Sequence, residues 1–190
     1  VLAFDPRSQG LSALTTQSHA PQRRMRDMDE FLKAAQVKNF ILAGWSLGVL
    51  ESLDYLANYN PKGLRGLILI DNSVGEGRPP GARSSNFQQT MNDPKKREAY
   101  LRAFCKDIYR EPPPPLVAQA VLDSAMRVPP KIAIQLMQQP YPRDYWRETL
   151  EKQNVPVLFI ARPWLKEQGE ALLSKRPANL ITVKILEKPG

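Results

Sequence analysis

The residues Phe40-Ile41-Leu42-Ala43-Gly44-Trp45-Ser46-Leu47-Gly48-Val49-Leu50 pass from one kind of backbone into another. The first four are continuously apolar, as in a strand buried on both faces of a parallel sheet. From Leu47 onward the apolar side chains Leu47, Leu50, Leu53, Leu56 and Ala57 recur at helical spacing. Asn60-Pro61-Lys62-Gly63 then stops the helix. Between the two lies Gly44-Trp45-Ser46-Leu47-Gly48, a G-x-S-x-G sequence. In isolation this pattern means little. A strand before it and a helix after it are the setting that a nucleophile elbow requires. In such an elbow the serine occupies strained backbone at the tip of a tight turn, and its hydroxyl is pushed out above the sheet edge. Glycines on either side let neighbouring backbone approach closely. The N–H of Leu47, at the helix N-terminus, points into the same space and can donate to a developing oxyanion. The plainer reading is a glycine-rich turn with an idle serine; the flanking elements favour the elbow.

Working outward, Val1 to Phe4 reads as a short apolar strand, followed by the turn-rich Asp5-Pro6-Arg7-Ser8-Gln9-Gly10. Met25, Met28, Phe31, Leu32 and Ala35 predict an amphipathic helix over 22–36. Leu67-Ile68-Leu69-Ile70, closed by Asp71-Asn72, is another buried-strand run. Beyond Val74 the character changes. Residues 75–94 read as an extended loop, and Tyr100, Leu101, Phe104 and Ile108 mark a helix. The four prolines 112–115 form a stiff break, and short helices follow around 117–125 and after Pro129-Pro130. Strand character returns at Val157-Leu158-Phe159-Ile160. A helical pattern runs through Leu165, Leu172 and Leu173, and residues 180–186 (LITVKIL) are a last strand. Strands alternating with helices predict an α/β class with a mostly parallel sheet, and the middle stretch reads as a helical insertion.

On these residues the chain resembles the α/β-hydrolase family. Phe4 to Ser12 is similar to that family's D-x-R-G-x-G-x-S loop after the fourth strand, departing at Ser8, where glycine is usual. Gly44 to Gly48 matches the elbow after the fifth strand. Leu64 to Asp71, Val155 to Ile160 and Leu180 to Leu186 look like the sixth, seventh and eighth strands. The resemblance implies a partial core at 1–74 and 151–190 with a helical cap inserted at 75–150. It also implies a catalytic histidine after the eighth strand and three strands before Val1, so the chain reads as clipped at both ends and as inactive by itself.

The resemblance implies Ser46 as nucleophile and Leu47 as an oxyanion donor, with Trp45 as a wall of the substrate pocket. The acid is a choice. Most of the family carries it after the seventh strand, where this chain offers only Glu167 or Glu170, both in a helical pattern. Some members place it after the sixth strand, where Asp71 stands, and Asp71 is preferred. His19, the single histidine, reads as a solvent-exposed loop residue remote from this chemistry. A serine nucleophile suits acyl transfer on a small, fairly apolar ester-like substrate, and disfavours dehalogenation, which needs a carboxylate nucleophile. A non-catalytic binding protein of this fold and a cofactor-free haloperoxidase-like member are the alternatives. Phe87, Met91, Phe104, Met126, Met137, Tyr141, Tyr145 and Trp146 line an apolar cavity or, more simply, pack the cap.

Composition fits this reading. The chain has 190 residues, 42% hydrophobic and 24% charged, the balance of one globular domain. No apolar run approaches the roughly 20 residues that a membrane-crossing helix needs. One cysteine, Cys105, and one histidine exclude a disulfide framework and a multi-histidine metal site within these residues, and no cofactor is implied. The net charge of +8 raises the question of nucleic acid. Its tightest groups, Arg23-Arg24 and Lys95-Lys96-Arg97, belong to no nucleic-acid module and read as a solvated basic surface. The expected partner is a small molecule, with neither nucleic acid nor membrane. A single cysteine fits the cytoplasm, with the periplasm left open.

Overall fold

The computed structural model describes residues 1–77, 86–109 and 111–187. Its elements in chain order are α1 (Pro21–Ala34), β1 (Phe40–Trp45), α2 (Leu47–Tyr59), β2 (Leu64–Ile70), α3 (Phe87–Asn92), α4 (Pro94–Asp107), α5 (Pro115–Arg127), α6 (Pro130–Met137), α7 (Arg143–Glu151), β3 (Val157–Ala161), α8 (Lys166–Lys175) and β4 (Ile181–Ile185). They fall into two compact units. One takes residues 28–82 and 139–189, the other 1–27 and 83–138.

The first unit is built on the sheet. All three strand pairs are parallel, in the order β1-β2-β3-β4, so the four C-terminal ends share one edge. Trp45 lies opposite Ile70, Ile70 opposite Ile160, and Ala161 opposite Ile185. Leu67, Leu69 and Phe159 are fully buried, as continuous apolar strands inside a parallel sheet should be. β1 differs from the expectation of burial on both faces: among the described strands it lies at the end of the order, and Ile41 is 60% exposed. Helix α2 packs on β1 and on α7, and α8 packs on β3 and β4. Helix α7 has no counterpart in the sequence reading. Its buried side is Trp146, Thr149 and Leu150, and the Tyr145 hydroxyl donates to Asp54 Oδ1 on α2 at 2.5 Å. Thus Tyr141, Tyr145 and Trp146, assigned to the cap from sequence, form an aromatic cluster in the sheet unit.

The second unit is helical. α4 packs against α3 and α5, and α3 against α6. Prolines start three of these helices, Pro94 of α4, Pro115 of α5 and Pro130 of α6, at the position where a missing N–H costs nothing. The polyproline break therefore ends as the first residue of α5. The expected solvation of the basic clusters is corrected at two residues. Arg24 is buried and donates to the carbonyl of Leu136 at 3.1 Å. Arg97 is buried and donates from Nη2 to the carbonyls of Met126 and Val128 at 2.9 and 2.5 Å, stitching the C-terminal end of α5. A cation at that end satisfies carbonyls that the helix itself cannot. Part of the +8 charge is thus structural.

Val1 to Phe4 forms no strand. An extended apolar segment becomes a strand only when a neighbour completes its ladder, and no described strand pairs with it. No described helix is long and apolar enough to cross a membrane.

Candidate active site

Ser46 joins β1 to α2 with φ 52° and ψ −119°, a conformation that non-glycine residues avoid. Holding it costs about 1–3 kcal/mol and needs surroundings that over-determine it. Three hydrogen bonds do so. The Ser46 N–H donates to the carbonyl of Ile70 at 2.8 Å, on the neighbouring strand. The Ser46 carbonyl accepts from the Val49 N–H at 3.0 Å and from Asn72 Nδ2 at 2.8 Å. The hydroxyl makes no capping bond to α2, and the residue is exposed. Leu47 is the first residue of α2, so its N–H belongs to the positive end of the helix dipole. Trp45, just before the serine, is 54% exposed.

The two glycines of the pattern are not equivalent. A Cβ on Gly44 would stand 2.2 Å from the Gly48 carbonyl oxygen, and backbone cannot move aside as a side chain does. A Cβ on Gly48 meets nothing within 4 Å among the described residues. Gly44→Ala is therefore expected to destabilise the protein by about 3 kcal/mol. Gly48→Ala should leave stability unchanged or raise it by about 1 kcal/mol, because alanine favours a helix. Urea unfolding of both variants checks this contrast; equal stabilities would contradict it.

Asp71 follows β2 as Ser46 follows β1, on the adjacent strand end. Its φ is also positive, 54°. Its N–H donates to the Ile160 carbonyl at 2.8 Å. Its carboxylate is held by Arg162, just beyond β3. Nη2 approaches Oδ2 at 2.6 Å, and the Arg162 N–H donates to Oδ1 at 3.3 Å. The Arg162 guanidinium also lies 6.0 Å from the ring centre of Trp164. The other candidate acids, Glu167 and Glu170, are exposed on α8, and Glu170 faces Lys166 at 3.9 Å. Arg162 and Asn72 were not singled out by the sequence. Their signal is positional: each stands at the C-terminal edge, next to a residue on a neighbouring strand end, and is visible only once the register is known.

His19 corrects the expectation of an exposed loop. It is 2% exposed, and its Nε2 lies 2.9 Å from Ser8 Oγ. Ser8 stands where the resemblance has glycine, and its φ of 62° shows why glycine suits the position. The serine makes use of its side chain: Oγ accepts from the Thr15 N–H at 3.0 Å, lies 3.5 Å from the Thr15 carbonyl oxygen and pairs with the imidazole. Burial lowers the His19 pKa, and the charges of Arg7 and Arg24 lower it further. The Gln17 main chain and Asp27 oppose this. The unfolded chain then binds a proton at higher pH than the folded one, so stability from this group is full above pH 6.5 and is lost as pH falls below it. Thermal unfolding of the protein should show a decline in midpoint on acidification through this window. His19→Gln should flatten it, and an unchanged slope would contradict the assignment.

Among the described residues no cluster of three or more His, Cys, Asp or Glu side chains could hold a metal. Cys105 is buried, and burial raises its thiol pKa.

No family model matches the sequence, and no curated protein matches it. Solved structures do resemble the fold. A protein of Burkholderia cenocepacia described as a candidate aryl esterase superposes with a TM-score of 0.77 at 20% identity, over 97% of this chain and 70% of its own. An esterase from Rhodococcus sp. gives 0.72 at 23% identity, over 95% and 70%. A bromoperoxidase from Bacillus anthracis gives 0.73 at 18% identity, over 95% and 71%.

Proposed function

We propose that this chain, which has the α/β-hydrolase fold, carries the nucleophile of a serine hydrolase acting on a small, fairly apolar ester-like substrate. The observation that carries the reading is the backbone of Ser46. An exposed serine is held at φ 52° by three hydrogen bonds, with its hydroxyl not used for capping. Strain of this kind persists where the surroundings hold it in place, and such outliers cluster at active sites. The esterases among the similar structures support the same reading.

In the proposed reaction Ser46 Oγ attacks the ester carbonyl carbon, and its proton passes to an imidazole base. The carbonyl oxygen becomes an oxyanion, which the Leu47 N–H stabilises. The tetrahedral intermediate collapses by expelling the alcohol, which takes the proton from the imidazolium. An acyl group remains on Ser46, and water repeats the sequence to release the acid. Asp71 is proposed to orient the imidazole. His19 is already engaged by Ser8, so the base is proposed to come from outside these 190 residues. Of the expected cap segment 75–150, α7 belongs to the sheet unit; the helical remainder is proposed as a cap, and Trp45 is proposed separately as a pocket wall. The full-length protein should hydrolyse short-chain p-nitrophenyl esters, and an acyl group should be trapped on Ser46 by acid quench wherever deacylation is the slower step; absence of turnover over a series of chain lengths would oppose the reading.

One observation favours the binding-protein alternative: the Asp71 carboxylate is already occupied on both oxygens by Arg162. A full-length protein that binds apolar esters without hydrolysing them would support that alternative.

A further inference from the structure

We infer that Asn72 is a positioning residue that aims the Leu47 N–H at the oxyanion; this rests on the serine-hydrolase reading of Ser46. Asn72 stands directly after Asp71 at the end of β2, and its Nδ2 donates to the Ser46 main-chain carbonyl at 2.8 Å. The orientation of its amide is determined, because Oδ1 accepts from the Ser73 N–H at 2.7 Å and so cannot be the atom that faces the Ser46 carbonyl.

The consequence follows from peptide planarity. The Ser46 carbonyl and the Leu47 N–H belong to one peptide unit, and among the described residues no peptide bond is cis. In a trans peptide the oxygen and the hydrogen point in opposite directions within one plane. Fixing the oxygen therefore fixes the hydrogen. That plane is under load, since Ser46 sits in strained backbone that a rotation of this peptide would relieve. The Val49 N–H holds the same oxygen from inside α2, at 3.0 Å. Asn72 holds it from the adjacent strand, and so ties the direction of the oxyanion donor to the sheet rather than to the first turn of the helix alone. An oxyanion donor is effective only when it is aimed before the reaction. Asn72 would thus contribute to turnover without touching the substrate.

The test uses Asn72→Ala, which removes the amide, and Asn72→Asp, which keeps its size but cannot donate from a carboxylate. Both are made in the full-length protein and compared with Ser46→Ala. The probes are phenyl acetate and phenyl thionoacetate, whose sulfur accepts poorly from an N–H. The expected result is a kcat for phenyl acetate about 10-fold lower in both variants, below the loss from deleting a direct donor. KM should stay within about 2-fold, because the hydrogen bond is used in the transition state. The preference for the oxygen ester over the thionoester should shrink in parallel. Two variants keep the test open should one fold poorly, and rates are taken per titrated active site. Unchanged kcat and an unchanged oxygen-to-sulfur preference would overturn the inference, as would a loss that appears only in KM. Failure of the underlying reading is seen separately, as turnover that survives in Ser46→Ala.

Discussion

Ser46→Ala in the full-length protein is expected to lower kcat for ester hydrolysis by about 10⁴- to 10⁶-fold, with no loss of thermal stability. The magnitude is that expected when the proposed nucleophile is removed. The unchanged stability follows from the geometry. Alanine at φ 52° is strained as much as serine is, and the hydroxyl being deleted does not cap α2. The hydrogen bonds that hold the turn come from the Ser46 main chain, which the substitution keeps. Ser46→Gly sharpens the point. It should be equally inactive and about 1 kcal/mol more stable than the parent, because glycine relieves the strain. An inactive variant that gains stability marks a residue kept for chemistry. A variant that retains turnover, or a glycine variant that loses stability, would place the nucleophile elsewhere.

Asp71→Asn is expected to lower kcat by about 10⁴-fold with the fold intact. An amide cannot hold an imidazole in the tautomer that accepts the serine proton, nor stabilise the imidazolium that forms. Asparagine is also the gentlest replacement here, because it tolerates the positive φ of 54° better than other non-glycine residues. The substitution removes the ion pair with Arg162, an interaction at a half-exposed arginine whose contribution to stability is about 1 kcal/mol or less. A large loss of rate with a small loss of stability therefore separates the chemical role from the structural one. Near-normal turnover would move the acid to Glu167 or Glu170, both of which lie exposed on α8.

The elements bearing on these predictions were legible because their signals are local. Phe40 to Ala43, Leu67 to Ile70 and Val157 to Ile160 are apolar without interruption, which few structures other than a parallel sheet explain. G-x-S-x-G carries its own steric logic, although only Gly44 proves to be sterically required. What was not legible depends on partners. Val1 to Phe4 looks like a strand, but pairing makes a strand, and no described strand supplies it. His19 looks like an exposed loop residue until Ser8, eleven positions earlier, is seen to face it. Arg24 and Arg97 look solvated because charge usually is, yet each is buried where main-chain carbonyls need a donor. Helix α7 is short, and its apolar side is reduced to Trp146 and Leu150 with Thr149 between them, too brief a stripe to read against the aromatic residues before it. Asn72 and Arg162 acquire meaning only from the register of β1, β2 and β3.

The central claim is that Ser46 is a nucleophile, and covalent labelling tests it most directly. Full-length protein is treated with a fluorophosphonate, its intact mass is measured, and the modified peptide is sequenced. The account predicts a single adduct, on Ser46, absent from Ser46→Ala. An unmodified protein, or an adduct on another residue that persists in Ser46→Ala, would contradict it.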